Sequence, residues 1–137
     1  MGAFPLLLLA VIFYNLLAFG GGLAGQQAAV LLGQPLPITL PSGDVWSLTG
    51  SDLFVTVALC LLFVEMVKAT RTGRGEILNH AFSTLTFVAA LVEFLLLKGF
   101  ATSAFFLLTA MCLFDVVAGY TISIVSARRD LTIPDRD

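Results

Sequence analysis

The sequence predicts an all-α membrane protein, a four-transmembrane-helix antiparallel bundle with a short extracytoplasmic β-hairpin loop. Three observations predict this fold. Of the 137 residues, 58% are hydrophobic and only 12% are charged, with a mean hydropathy of +1.00, whereas soluble domains carry about 25% charged residues. The apolar residues form separate runs of about the ~20 residues that a helical span needs. The basic residues collect in the connections on one side, as membrane topology requires.

The chain is too short for a second domain of ordinary size, so we expect one transmembrane domain, 1–129, and a mobile cytoplasmic tail, 130–137. The predicted spans cover about residues 4–22, 51–69, 77–97 and 101–127. The first run could instead be a cleaved signal peptide, because Gly22-Leu23-Ala24 offers small residues for cleavage. No positive charge precedes the run, which favours a retained helix.

The long connection between the first two spans contains no lysine or arginine. Residues 26–32 predict one or two amphipathic turns that stop at Gly33. Residues 38–40 and 45–49 alternate around a Pro-Ser-Gly-Asp turn, which predicts a β-hairpin. Trp46 would anchor this hairpin at the level of the lipid headgroups. A Thr-x-x-Asp pattern ending at Asp52 predicts a capping box at the start of the second span.

The distribution of charge predicts the orientation. Four spans place six of the seven basic residues on one side and only Lys98 on the other. The six are Lys68, Arg71, Arg74, Arg128, Arg129 and Arg136. By the positive-inside rule, both termini are cytoplasmic, and we expect a bacterial inner membrane as the location.

Acidic residues lie inside the predicted spans, where an ionised carboxyl is costly unless it is paired or hydrated. Residue counts place Glu65 near the cytoplasmic interface, Asp115 near the middle and Glu93 toward the outside. Asn15 matches Asp115 in depth and is its candidate partner. His80 matches Glu65 in depth, and both lie at the cytoplasmic end.

The third span carries a regular polar face. Asparagine, serine, threonine, alanine and glutamate recur at spacings of 4, 3, 4 and 3, so they share one side of a helix that should face the bundle. These residues are Asn79, Ser83, Thr86, Ala90 and Glu93. Small residues on the first and fourth spans would let the helices approach closely.

Several classes of site are excluded or unsupported. Cys60 and Cys112 differ in depth by roughly 9 Å at 1.5 Å per residue, which excludes a disulfide between them. One histidine cannot provide bis-histidine haem ligation, and no metal-ligand motif is present; any other cofactor stays unknown. No nucleophile elbow or phosphate loop marks an enzyme, and the few basic residues make no nucleic-acid surface.

These observations lead to an expected function. We expect a non-enzymatic accessory, assembly or stabilising subunit of a larger membrane complex, which contacts the lipid bilayer and either other membrane subunits or copies of itself. The alternative is an oligomeric small transporter or proton-coupled carrier that uses Glu65, Asp115 and Glu93 as a stepped acidic path, with His80 near its inner mouth. Lipid or quinone binding is a further alternative. A carrier needs an acid that faces a water-accessible cavity, whereas a subunit needs its acids paired.

Overall fold

A computed structural model describes residues 4–20, 27–70 and 76–130. Within these ranges the side chains of residues 27, 76, 77 and 126–130 are not described. The chain is mostly helical, with a small two-stranded sheet. In order, the elements are α1 (Leu6–Phe19), α2 (Gln27–Leu32), β1 (Pro35–Thr39), β2 (Val45–Thr49), α3 (Gly50–Ala69), α4 (Glu76–Leu96) and α5 (Ser103–Asp130).

Three helices are long and apolar enough to cross a membrane, over Gly50–Ala69, Leu78–Leu96 and Ser103–Val125. The shares of these segments that are buried inside the protein are 22%, 22% and 39%. Most of their apolar surface therefore faces outward, far more than a monomeric soluble protein exposes. This surface is consistent with an integral membrane protein, whose surroundings are hydrocarbon.

The first helix is shorter than the sequence predicted. α1 has 14 residues, which span ~21 Å at 1.5 Å per residue, whereas the hydrocarbon core is ~30 Å thick. The predicted four-span bundle is therefore confirmed only as three long apolar helices and a small sheet. The end of the predicted span and the possible cleavage site fall in residues 21–26, outside the described residues. The predicted tail also lies outside them, except for Asp130, the last residue of α5.

The connection after α1 folds largely as predicted. α2 ends before Gly33, and β1 and β2 form an antiparallel hairpin in which Pro35 lies opposite Thr49. The first strand begins three residues earlier than expected, at Pro35, because a two-stranded sheet has only edge strands, where proline is tolerated. Gly43 has a φ of 91° in the turn, a conformation that favours glycine.

The predicted capping box is confirmed at the junction of β2 and α3. The Thr49 hydroxyl accepts from the Asp52 N–H at 3.2 Å, and the Asp52 carboxylate accepts from the Thr49 N–H at 2.8 Å. Ser51 donates from its hydroxyl to the Leu32 carbonyl at 3.2 Å. These bonds connect the hairpin and α2 to the beginning of α3.

The bundle has two distinct ends. At the basic end, defined by Phe4, Lys68, Asn79 and Ser123, the start of α1 meets the end of α3, and the start of α4 meets the last third of α5. At the hairpin end, Tyr14 packs on Phe100 and Phe105, with ring centroids 5.5 Å and 4.6 Å away. α1 and α3 thus run antiparallel, and so do α4 and α5. The extensive contacts of α5 with α3 and α4 complete the core.

Candidate functional site

The carboxylate of Glu65 is the shared acceptor for groups from three helices at the basic end. Its Oε2 accepts from the backbone N–H of Leu6 at 2.9 Å, and its Oε1 accepts from the Asn79 amide at 3.0 Å. The Lys68 ammonium donates to both oxygens at 3.2 Å and 3.3 Å. The Glu65 side chain is fully buried, whereas that of Lys68 is 25% exposed. A buried carboxylate is thus neutralised by a cation that reaches the surface.

Glu65 also caps α1 from a neighbouring helix. The first turn of a helix has N–H groups without intrahelical partners, and Pro5, the N-cap residue, has no side chain that accepts from them. The Glu65 carboxylate takes one of these N–H groups and lies at the positive end of the helix dipole. Lys68 donates to the adjacent Phe4 carbonyl at 3.3 Å. The charged pair thereby fixes where α1 enters the bundle.

His80 lies at the same end but in a different contact. Its Nε2 shares a hydrogen bond of 2.7 Å with the Ser123 hydroxyl, and its ring lies 5.4 Å from that of Tyr120. A Cβ at Gly119 would lie only 2.6 Å from His80 Nδ1. The absence of a side chain at Gly119 is what allows the imidazole to pack between α4 and α5.

Asp115 is buried with few partners. Its side chain is 5% exposed, and the Ser83 hydroxyl, 3% exposed, faces it from α4. The Ser83 hydroxyl has no hydrogen-bond partner among the described residues. One turn away, Asn79 Oδ1 is likewise buried and unpaired within that set. Buried unpaired polar atoms are uncommon, and they indicate a bound water, a bound ion or a functional role.

The expected pairing of Asn15 with Asp115 is wrong. The Asn15 amide donates instead to Glu93 at 2.9 Å and to the Val11 carbonyl at 3.0 Å. Glu93 lies ten residues, ~15 Å, along α4 from Ser83, the residue that faces Asp115. The residue count therefore misplaced Asn15 along the bundle axis, and Asn15 faces α4 rather than α5. Glu65 and His80 do share the basic end, although each bonds to other partners.

The predicted polar face of α4 is confirmed. Ser83, Thr86 and Ala90 are buried, and Asn79 and Glu93 at its two ends are half-buried and bonded to α3 and α1. Sequence reasoning missed the hydrogen bond of 2.7 Å between the hydroxyls of Tyr14 and Thr102. Thr102 precedes α5 and accepts from the Phe105 N–H. The signal in the sequence for a structural role of Thr102 was its position at the N-cap of a helix.

The remaining candidates have simpler positions. Trp46 is exposed on β2, where an interfacial anchor would lie, and Cys60 and Cys112 are both free thiols. Within the described ranges, no group of three or more His, Cys, Asp or Glu side chains could hold a metal ion. Arg71 and Arg74 lie outside the described residues, and the side chains of Arg128 and Arg129 are not described.

Comparisons with known proteins leave the site without a template. No protein-family model, curated protein or solved structure matches the chain.

The role of Glu65 predicts that removing its charge destabilises the protein more than removing the charge of Glu93. Glu65→Gln places an amide N–H₂ among groups that all donate, so we expect the free energy of unfolding to fall by about 1–3 kcal/mol. Glu93→Gln is the matched control. It keeps an oxygen acceptor for Asn15, and we expect a loss of less than about 1 kcal/mol.

Both variants are measured by unfolding in a mild detergent, with the wild type alongside. Combining Glu65→Gln with Asn79→Ala should cost less than the sum of the single effects, because the two residues share a hydrogen bond. Equal losses for the two glutamine variants would contradict the assignment of Glu65 as the shared acceptor.

Proposed function

We propose that the chain is a four-span integral protein of a bacterial inner membrane, with both termini in the cytoplasm. The antiparallel course of α1 beside α3 supports the fourth span. The apolar run in the sequence also continues on both sides of α1, over about 4–22. The segregation of the basic residues supports the orientation, since it puts the basic end toward the cytoplasm and the hairpin outside.

Within that membrane, we propose that the protein is a non-enzymatic accessory, assembly or stabilising subunit of a larger complex. The observation that carries this proposal is that polar side chains inside the bundle form hydrogen bonds between helices. Glu65, Glu93 and His80 each bond to a residue of another helix. A carrier would need such groups to face water during its cycle.

The outer surfaces support the same proposal. Large apolar side chains project from all three long helices, and examples are Phe63 at 68% exposed, Leu85 at 63% and Phe114 at 61%. In a membrane, van der Waals packing and interhelical bonds drive helix association. Such faces provide packing surface for neighbouring subunits without any chemistry of their own.

The carrier remains a second candidate because of one observation. The Asp115 carboxyl, the Ser83 hydroxyl and Asn79 Oδ1 place oxygen atoms in the interior of the bundle, the last two unpaired among the described residues. Intramembrane acids of this kind mark proton and ion pathways in transporters. Hydration of this region would turn it into part of such a pathway.

The topology predicts opposite labelling of two exposed positions. A cysteine introduced at Ser42, in the hairpin turn, should react with an impermeant thiol reagent in intact cells, whereas one at Thr70, after α3, should react only after the cells are permeabilised. The wild type is the control for reaction at the native cysteines. Labelling of both positions from outside would exclude the proposed orientation.

The subunit proposal predicts protein crosslinks from a particular face. A photoreactive amino acid at Phe63, Leu85 or Phe114 in native membranes should give a discrete protein adduct from at least one position, at near-stoichiometric yield. The other positions serve as lipid-facing controls. Adducts with lipid alone at every position, together with a monomeric protein in mild detergent, would contradict the subunit proposal.

The carrier proposal predicts that Asp115→Asn abolishes proton flux while the protein still folds. An amide keeps the shape of the carboxyl but cannot exchange a proton at neutral pH. Liposomes that contain a pH-sensitive dye and either wild type or variant measure the flux. Equal and negligible flux in both would exclude the carrier and leave the subunit proposal in place.

A further inference from the structure

A groove on the outer surface of the bundle lies between α1 and α4. Its volume is about 530 Å³, within the range of small-molecule sites. Its walls are almost entirely apolar, and its polar groups are the side chains of Asn15 and Glu93. The apolar side chains lining it belong to Leu8, Val11, Ile12, Leu16, Phe19 and Ala89.

The polar pair lies toward the hairpin end of the bundle, and Phe19 lines the groove beyond it. Glu93 is three residues before Leu96, the last residue of α4, so it lies ~5 Å from the end of the helix. Tyr14, next to Asn15, bonds to Thr102 in the connection between α4 and α5. The groove then continues from Asn15 to Leu8, ~10 Å deeper along α1. In a membrane, this places the pair near the headgroups and the apolar walls along the hydrocarbon.

The charge of Glu93 is not compensated in the way that the charge of Glu65 is. Glu93 Oε2 accepts from the neutral Asn15 amide. The salt bridge described within the bundle, between Lys68 and Glu65, is at the other end. Lys98, the lysine nearest to Glu93 in the sequence, forms no salt bridge with it among the described residues. A partly exposed carboxylate thus faces the groove, where a cationic donor would stabilise it.

We propose that this groove binds an aminophospholipid such as phosphatidylethanolamine. One acyl chain lies along the apolar walls, and the headgroup ammonium donates a hydrogen bond to Glu93. A primary ammonium provides both the positive charge and the N–H donors that the carboxylate lacks. A choline headgroup has the charge but no N–H, and a glycerol headgroup has no positive charge. This inference goes beyond the proposed function and requires only that the chain lies in a membrane.

Native mass spectrometry of the full chain in mild detergent tests the selectivity. The protein is mixed with phosphatidylethanolamine, phosphatidylcholine or phosphatidylglycerol of identical acyl chains. We expect the wild type to retain phosphatidylethanolamine preferentially. Glu93→Gln should weaken that retention about tenfold, the effect of losing one charge-assisted bond, and bring it to the phosphatidylcholine level. Asp44→Asn, which changes an exposed acid in the hairpin turn, is the matched control and should leave retention unchanged.

A second variant tests the groove itself. Ala89 is exposed on the groove wall, so Ala89→Phe should fill the space and reduce retention of all three lipids. A photoreactive residue at Leu16 should give an adduct with the mass of a phospholipid. Equal retention of the three lipids by the wild type, or unchanged selectivity in Glu93→Gln, would overturn the role of the carboxylate. A protein adduct from Leu16 in native membranes, or unchanged retention in Ala89→Phe, would overturn lipid occupancy of the groove.

Discussion

The burial of the Glu65 carboxylate is the constraint on which the arrangement of the helices depends. An ionised acid in an apolar interior is costly unless it is paired and hydrogen-bonded, and its donors come from α1, α3 and α4. The donors from α1 and α4 fix these two helices relative to α3 at the basic end. Because the Leu6 N–H is one of these donors, α1 packs against α3 in one direction and at one level. Lys68 completes the charge balance while remaining in reach of the surface.

The sequence was informative wherever a local periodicity or a local motif decides the structure. The 3- and 4-residue spacing of polar groups predicted the buried face of α4, and the Thr-x-x-Asp pattern predicted the cap of α3, because both depend on the geometry of a single helix. The hairpin followed from alternation around a turn, although its first strand extends back to Pro35. These features need no knowledge of how helices are rotated relative to one another.

Contacts between helices were predicted less well. Counting residues from a membrane boundary gives depth, and depth correctly placed Glu65 and His80 at one end of the bundle. The count misplaced Asn15, which was assigned to Asp115 on α5 but bonds to Glu93 near the hairpin end of α4. Counting also gives no information about rotation around the helix axis. The Tyr14–Thr102 bond joins a helix to a connecting segment, and no periodic pattern reports such a contact. Rotation is set by packing of many side chains, of which the single sequence gives no direct record.

The acids of the bundle illustrate how one residue type acquires different roles from its surroundings. Glu65 is fully buried and has an internal cation, so its charge is balanced within the chain. Glu93 is half-buried, has an amide partner and opens to an apolar groove, so the balance of its charge depends on what occupies the groove. Asp115 is buried beside a hydroxyl that does not bond to it. The protein itself balances the charge of Glu65, whereas the surroundings must balance the charge of Glu93. A ligand would therefore have its largest effect on stability at the least compensated charges.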